Sequence, residues 1–160
     1  MCWGKPQSTA RPMRFTVAPQ LLAGRDLTGT VTTMDALLTQ YALDQQIRSQ
    51  NGHYLMVIKK NQPTLYWAAE LVFREPPVPV RAGERLTSQT QGKDHGRLET
   101  RSLASTTALS NYLRWPDVTQ VLRRTCRRRN LRTGRLESAV TYGLTSLLRD
   151  LAGPTQLKQI

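Results

Sequence analysis

Two short apolar strands, separated by a helical period and followed by a second one, constrain this chain more than anything else in it. Leu27 leads into Val31-Thr-Thr-Met34, where β-branched residues favour extended backbone. From Ala36 the pattern turns helical, with Leu37, Leu38, Tyr41, Ala42 and Ile47 recurring at three- to four-residue intervals. Asn51-Gly52 supplies a C-terminal stop. Tyr54 to Ile58 is nearly continuous in apolar residues, as expected of a central strand covered on both faces. Pro63 suits the first turn of a further helix, and Leu65, Ala68, Ala69, Val72 and Phe73 form its buried stripe. Strand, helix, strand and helix joined this closely imply a parallel crossover, so the fold class is α/β.

The remainder is read around that unit. Residues 1–16, with Pro6 and Pro12, show no periodicity and read as an irregular tail, with Leu21-Leu22 closing a short helix before Asp26. Pro76, Pro77, Pro79 and Gly83 mark a linker over residues 76–92. Arg97 to Ser105 reads as extended, and Leu109 to Trp115 as a short helix stopped before Pro116. Val121 to Arg129 and Leu136 to Leu144 read as two strands of a hairpin joined by Asn130-Leu-Arg-Thr-Gly134. A new helix begins at Gly153-Pro154. Trp67 and Trp115 sit in apolar patterns and are expected in the core.

At 160 residues the chain is one domain by length and can bury a core. Its formal net charge of +12 fits a polyanionic partner, of which nucleic acid is the first choice. Residues 93–160 hold 13 Lys/Arg against 5 Asp/Glu, so +8 of the +12 lies there. The competing explanation is an arginine-rich surface that serves only solubility. Cys2 and Cys126 belong to no metal-binding spacing, which points to a reducing compartment. With no signal-peptide pattern and no membrane-spanning run in the sequence, a cytoplasmic protein without a membrane partner is expected.

Several side chains are candidates for chemistry. Asp35, at the end of the first strand, is either the N-cap of the following helix or a metal ligand at the carboxyl end of a parallel strand. Position alone favours the cap. In His95-Gly-Arg97-Leu-Glu99-Thr-Arg101, alternate polar residues share one strand face, where arginines oriented by Glu99 could meet phosphates. The alternative is a solvated face with weak ion pairs. Arg123, Arg124, Arg127, Arg128, Arg129, Arg132 and Arg135 put seven arginines in thirteen residues, on both faces of a strand. They offer phosphate affinity that falls with salt, or simply an exposed hairpin kept soluble by charge. Lys59 and Lys60, between strand and helix, could touch a DNA backbone or merely form a loop.

Taken in order, these segments resemble the DDE transposases of bacterial insertion sequences, in the H-repeat-associated (ISAs-type) branch. The resemblance runs from about Arg14 to Ile160. It rests on Leu27-Thr-Gly29, Val31-Thr-Thr-Met-Asp35-Ala36, Gln40, Gly52-His-Tyr54, Lys60-Asn-Gln-Pro63-Thr-Leu65, His95-Gly-Arg-Leu-Glu-Thr-Arg101 and Tyr142-Gly-Leu-Thr-Ser-Leu147. It implies an RNase H-like fold with a basic β-rich insertion, here over residues 93–150, and an Asp-Asp-Glu triad holding two Mg²⁺ ions for DNA cleavage and strand transfer. By this resemblance Asp35 is the second aspartate and a metal ligand, which reverses the positional preference for a cap. The first aspartate has no counterpart in residues 1–13, and the glutamate is expected beyond the segment ending at Ile160, with Glu99 as a less favoured substitute. DNA binding is assigned to Lys59, Lys60, Arg97, Arg101, Arg123, Arg124, Arg127, Arg128 and Arg129. A truncated internal fragment, catalytically incomplete, is the expectation. The alternative role is a non-enzymatic DNA-binding remnant that interferes with an intact transposase or pairs with itself.

Overall fold

A computed structural model describes residues 14–74, 85–94, 96–110 and 112–157. Cys2, Pro6, Pro12, the prolines of the expected linker, His95 and Ile160 lie outside the described residues. The element order is α1 (Arg14–Leu22), β1 (Val31–Met34), α2 (Tyr41–Ser49), β2 (His53–Ile58), α3 (Pro63–Arg74), β3 (Arg85–Asp94), β4 (Arg97–Thr106), β5 (Gln120–Asn130), β6 (Leu136–Thr145) and α4 (Pro154–Leu157). The described strands make one mixed sheet of six in the order β1-β2-β6-β5-β4-β3. β1 and β2 pair in parallel, Val31 opposite His53 and Met34 opposite Met56, with α2 as the crossover. Every other pairing is antiparallel.

The crossover closes where the sequence signals it. Asn51 takes φ 61° after the last turn of α2. Its N–H bonds to the Arg48 carbonyl at 3.1 Å, and that of Gly52 to the Ile47 carbonyl at 3.0 Å, a Schellman closure. Gly52 has no room for a side chain, because a Cβ there would lie 2.7 Å from that of Leu27. Burial along β2 alternates. Tyr54, Met56 and Ile58 are fully enclosed beneath α2 and α3, with Leu43, Ile47, Leu65, Ala69, Val72 and Phe73. The opposite face is closed less completely by Leu103, Leu122, Leu147, Ala152 and Leu157, against which Leu55 packs. The expected burial of β2 on both faces is therefore met on one face and only partly on the other.

Other expectations change as well. α1 starts at Arg14 rather than after residue 16, and Gln46 and Gln50 of the α2 region tie it down through the carbonyls of Pro19 and Leu22 at 2.9 and 2.8 Å. α2 begins at Tyr41 and not at Ala36, because Asp35 and Thr39 divert the intervening backbone into a turn. Residues 85–92, expected in a linker, form most of β3. Among the described residues of Leu109 to Trp115 the backbone forms turns and bends, including Tyr112 N–H to the Leu109 carbonyl at 3.1 Å, where a short helix was expected. Trp67 is 74% exposed, since it lies two residues from both Leu65 and Ala69 and so on the far side of α3. Trp115 does pack against the core, edge-on to Tyr41 with its indole N–H donated to the buried Asp44. Among the described residues no helix is long and apolar enough to cross a membrane.

Candidate nucleic-acid interface

The carboxyl ends of the parallel pair β1 and β2 carry two loops that brace one another. Asn61 donates to the Ala36 carbonyl at 2.7 Å, and Gln62 to the Thr39 carbonyl at 3.1 Å. Thr39 is buried and donates to the carbonyl of Val57 at 2.6 Å. These bonds fix the loop after β1, on which Asp35 stands exposed. Its Oδ1 accepts the Leu37 N–H at 3.1 Å, an Asx turn, so Asp35 caps a turn while Gln40 occupies the N-cap of α2. Lys59 and Lys60 lie exposed on the neighbouring loop.

Asp35 borders a groove of about 440 Å³ whose other residues include Thr33, Leu55, Arg101, Arg124 and Leu157. Among the described residues lining that groove it is the one carboxylate. Glu99 stands elsewhere. Met34, next to Asp35, is level with Leu144 through Met56, whereas Glu99 is level with Glu137 through Arg128. Residues 137 and 144 are seven apart along β6, which separates the two rows by about 23 Å at strand spacing. A shared two-metal centre needs ions about 4 Å apart, so Asp35 and Glu99 cannot hold one together.

Glu99 is instead the centre of an ion-pair cluster. It accepts Arg101 Nε at 2.7 Å and the Cys126 thiol at 3.0 Å, and Arg128 Nε lies 3.6 Å away. The hydrogen bond from Arg101, then that from Cys126, hold the Glu99 carboxyl down at about 2. The same bond raises the Cys126 thiol, which keeps it protonated. A broad concavity of about 800 Å³ opens over this cluster, lined by Thr90, Gly92, Arg97, Arg101 and Arg128.

Register sorts the arginines into two sets. Arg97, Arg101, Arg124 and Arg128 share the face of Glu99, which also carries Glu137. Arg123, Arg127 and Arg129 are on the opposite face. Arg123 is withdrawn toward the core, its guanidinium 5.2 Å from the centre of the Phe73 ring. Arg127 and Arg129 are exposed, with Thr100 and Leu98 opposite them on β4 and Gln91 and Lys93 beyond on β3. Lys93 was not singled out from the sequence. Its strand lacks apolar alternation, and only the pairing of β3 with β4 brings it beside the arginines.

The charged strands thus form an open continuation of the sheet that carries Asp35. The sequence has known counterparts. The chain is similar to proteins named as transposases. Over 99 residues, 61% of this chain, it is 34% identical to "Putative transposase YncI" of Escherichia coli O157:H7, of which that match spans 25%. It is 31% identical over 98 residues to "H repeat-associated putative transposase YbfD" of Escherichia coli K12, covering 38% of that protein. An uncharacterised protein from the dhlA 3′ region of Xanthobacter autotrophicus is 34% identical over 91 residues, 29% of its length. The matched stretch thus spans between a quarter and two fifths of these relatives. No family model matches the chain, and no solved structure does.

Proposed function

We propose that this chain is part of a DDE transposase of the H-repeat-associated, ISAs-type branch, and that its own contribution is binding duplex DNA. The relatives named as transposases support the role, and the parallel β1-α2-β2 unit with a carboxylate after β1 is compatible with an RNase H-like sheet. The observation that carries the binding reading is the exposed, arginine-rich continuation of the sheet formed by β3 to β6. Phosphate recognition needs only such a surface, because each contact releases condensed counterions.

Strand cleavage needs more. Mg²⁺ prefers near-octahedral oxygen ligation, and a two-metal centre requires carboxylates that bridge both ions. The residues described here do not fit that group: Asp35 stands alone in its groove, and no cluster of three His, Cys, Asp or Glu occurs among the described residues. No chemical step is therefore assigned to this chain alone. An isolated chain able to occupy transposase DNA without cutting it would interfere with an intact enzyme.

The test uses supercoiled plasmid with Mg²⁺ in excess over the chain, since metal-dependent cleavage would need the ion. The purified chain is expected to retard the plasmid and leave it supercoiled. Mg²⁺-dependent nicking that Asp35→Ala abolishes would overturn the assignment.

A further inference from the structure

We infer that the two faces of the β3–β6 sheet play different parts, and that the face bearing Lys93, Arg127 and Arg129 is the one that lies against duplex DNA. This inference rests on the DNA-binding reading above and specifies the surface. On the face of Glu99 carboxylates offset part of the positive charge: Glu99 engages Arg101 and Arg128, and Glu137 pairs with Arg135 at 3.5 Å, while Arg97 and Arg124 stand exposed beside them. Across the sheet, no carboxylate among the described residues pairs with Lys93, Arg127 or Arg129. All three are exposed.

Their spacing is set by the sheet. Arg127 and Arg129 are two residues apart on β5, about 7 Å, and Lys93 stands two strands from Arg129 through Leu98, about 10 Å. Around them are small or amide-bearing side chains, Gln91, Thr100, Thr125 and Ser138, which can add neutral hydrogen bonds to phosphate oxygens. Helix α3 stops short of this area, covering the sheet near Tyr142 and Arg123, so the distal half of the face is open.

The composition of the face also selects the kind of nucleic acid. Single strands are held by stacking bases on aromatic rings. The described residues of β3, β4, β5 and β6 include one aromatic, Tyr142, and it is buried against Tyr66 and Phe73. The apolar side chains on the open face are aliphatic, Leu98, Leu136 and Val140. A surface of spaced cations without rings suits the regular phosphates of a duplex.

The experiment compares salt dependence of duplex binding, by fluorescence anisotropy, for the parent chain and two triple variants. Lys93→Gln, Arg127→Gln and Arg129→Gln together are expected to lower the magnitude of the log–log salt slope by about 2 to 3. Glu99→Gln, Arg101→Gln and Arg128→Gln together should lower it by less than half as much. For the parent, a single strand of equal length should bind at least about tenfold more weakly than the duplex at the same salt. Circular dichroism of each variant keeps a folding defect apart from a binding defect. If the second triple flattens the slope more than the first, or the single strand binds as tightly as the duplex, the inference fails while the DNA-binding reading stands. A parent chain that binds neither nucleic acid would overturn both.

Discussion

Arg128 stands directly opposite Glu99 on the adjoining strand, 3.6 Å from its carboxylate, while its neighbours Arg127 and Arg129 project from the other side of the sheet. One run of three arginines is therefore two different surfaces. Glu99 is held mainly by Arg101, so its carboxyl should titrate near 2 instead of the ordinary 4.5. Because the folded value is depressed, the stabilisation is present above about pH 4.5 and is lost as pH falls toward 2. Carboxyl carbon shifts in an NMR titration should show this midpoint, and Arg101→Ala should return it most of the way to 4.5. An unchanged midpoint in that variant would mean the hydrogen bond does not hold the charge.

A second titration is buried in the helical half. Asp44 is fully enclosed, receives the Trp115 indole N–H on Oδ2 and leaves Oδ1 without a partner. Burial lifts its carboxyl from 3.8 to about 7, with the indole bond opposing the shift. The groups around it are Tyr54, raised by burial and by the charges of Asp44 and Asp117, and the Arg48–Asp117 pair at 2.9 Å. The folded state holds a proton between pH 4 and 7 that the unfolded state has released, so stability should fall as pH rises through this window. Asp44→Asn should remove that decline and stabilise the chain at pH 8 by up to roughly 4 kcal/mol, with little difference at pH 4. Urea midpoints at the two pH values measure it.

Gly143 lies on β6 where that strand pairs with β2, the junction between the helical half and the arginine-rich half. A Cβ at this position would come 2.9 Å from the Met56 carbonyl oxygen, a backbone atom that cannot swing aside. Gly143→Ala should cost about 1–3 kcal/mol, seen as a lowered urea midpoint. Gly92, opposite Glu99 and with open space around it, should accept alanine with a far smaller effect.

Asn61 joins the loop after β2 to the loop bearing Asp35 through its bond to the Ala36 carbonyl. Asn61→Ala should cost about 1 kcal/mol and speed amide exchange at Leu37 and Leu38, while β4 and β5 keep their protection. Uniform acceleration across the sheet would instead indicate global destabilisation.

What could be read in advance was local. Asn51-Gly52 announces the end of α2, Pro63 the start of α3 and Asn130-Leu-Arg-Thr-Gly134 the β5–β6 turn, because each depends on backbone preferences carried by a few adjacent residues. β3 was hidden because Thr87, Gln89, Thr90 and Gln91 have no apolar alternation and become a strand by pairing with β4. The helical spacing of Leu109 to Trp115 was overridden by contacts distant in sequence, including Trp115 with Asp44 and Tyr54 with the Pro116 carbonyl. At the candidate site, the residue types were visible and their grouping was not. Glu99 as the anchor of Arg101 and Arg128, and Lys93 as the neighbour of Arg129, follow only from the register of three strands.

If this sheet is a duplex-DNA surface, the unaltered chain must bind duplex with a steep dependence on salt. Between roughly 50 and 200 mM salt, the observed association constant for a random duplex should fall along a straight log–log line with a slope of about −3 or steeper, as expected when several phosphates are neutralised. Absence of binding at the low end, or an affinity that does not change across that range, would contradict it.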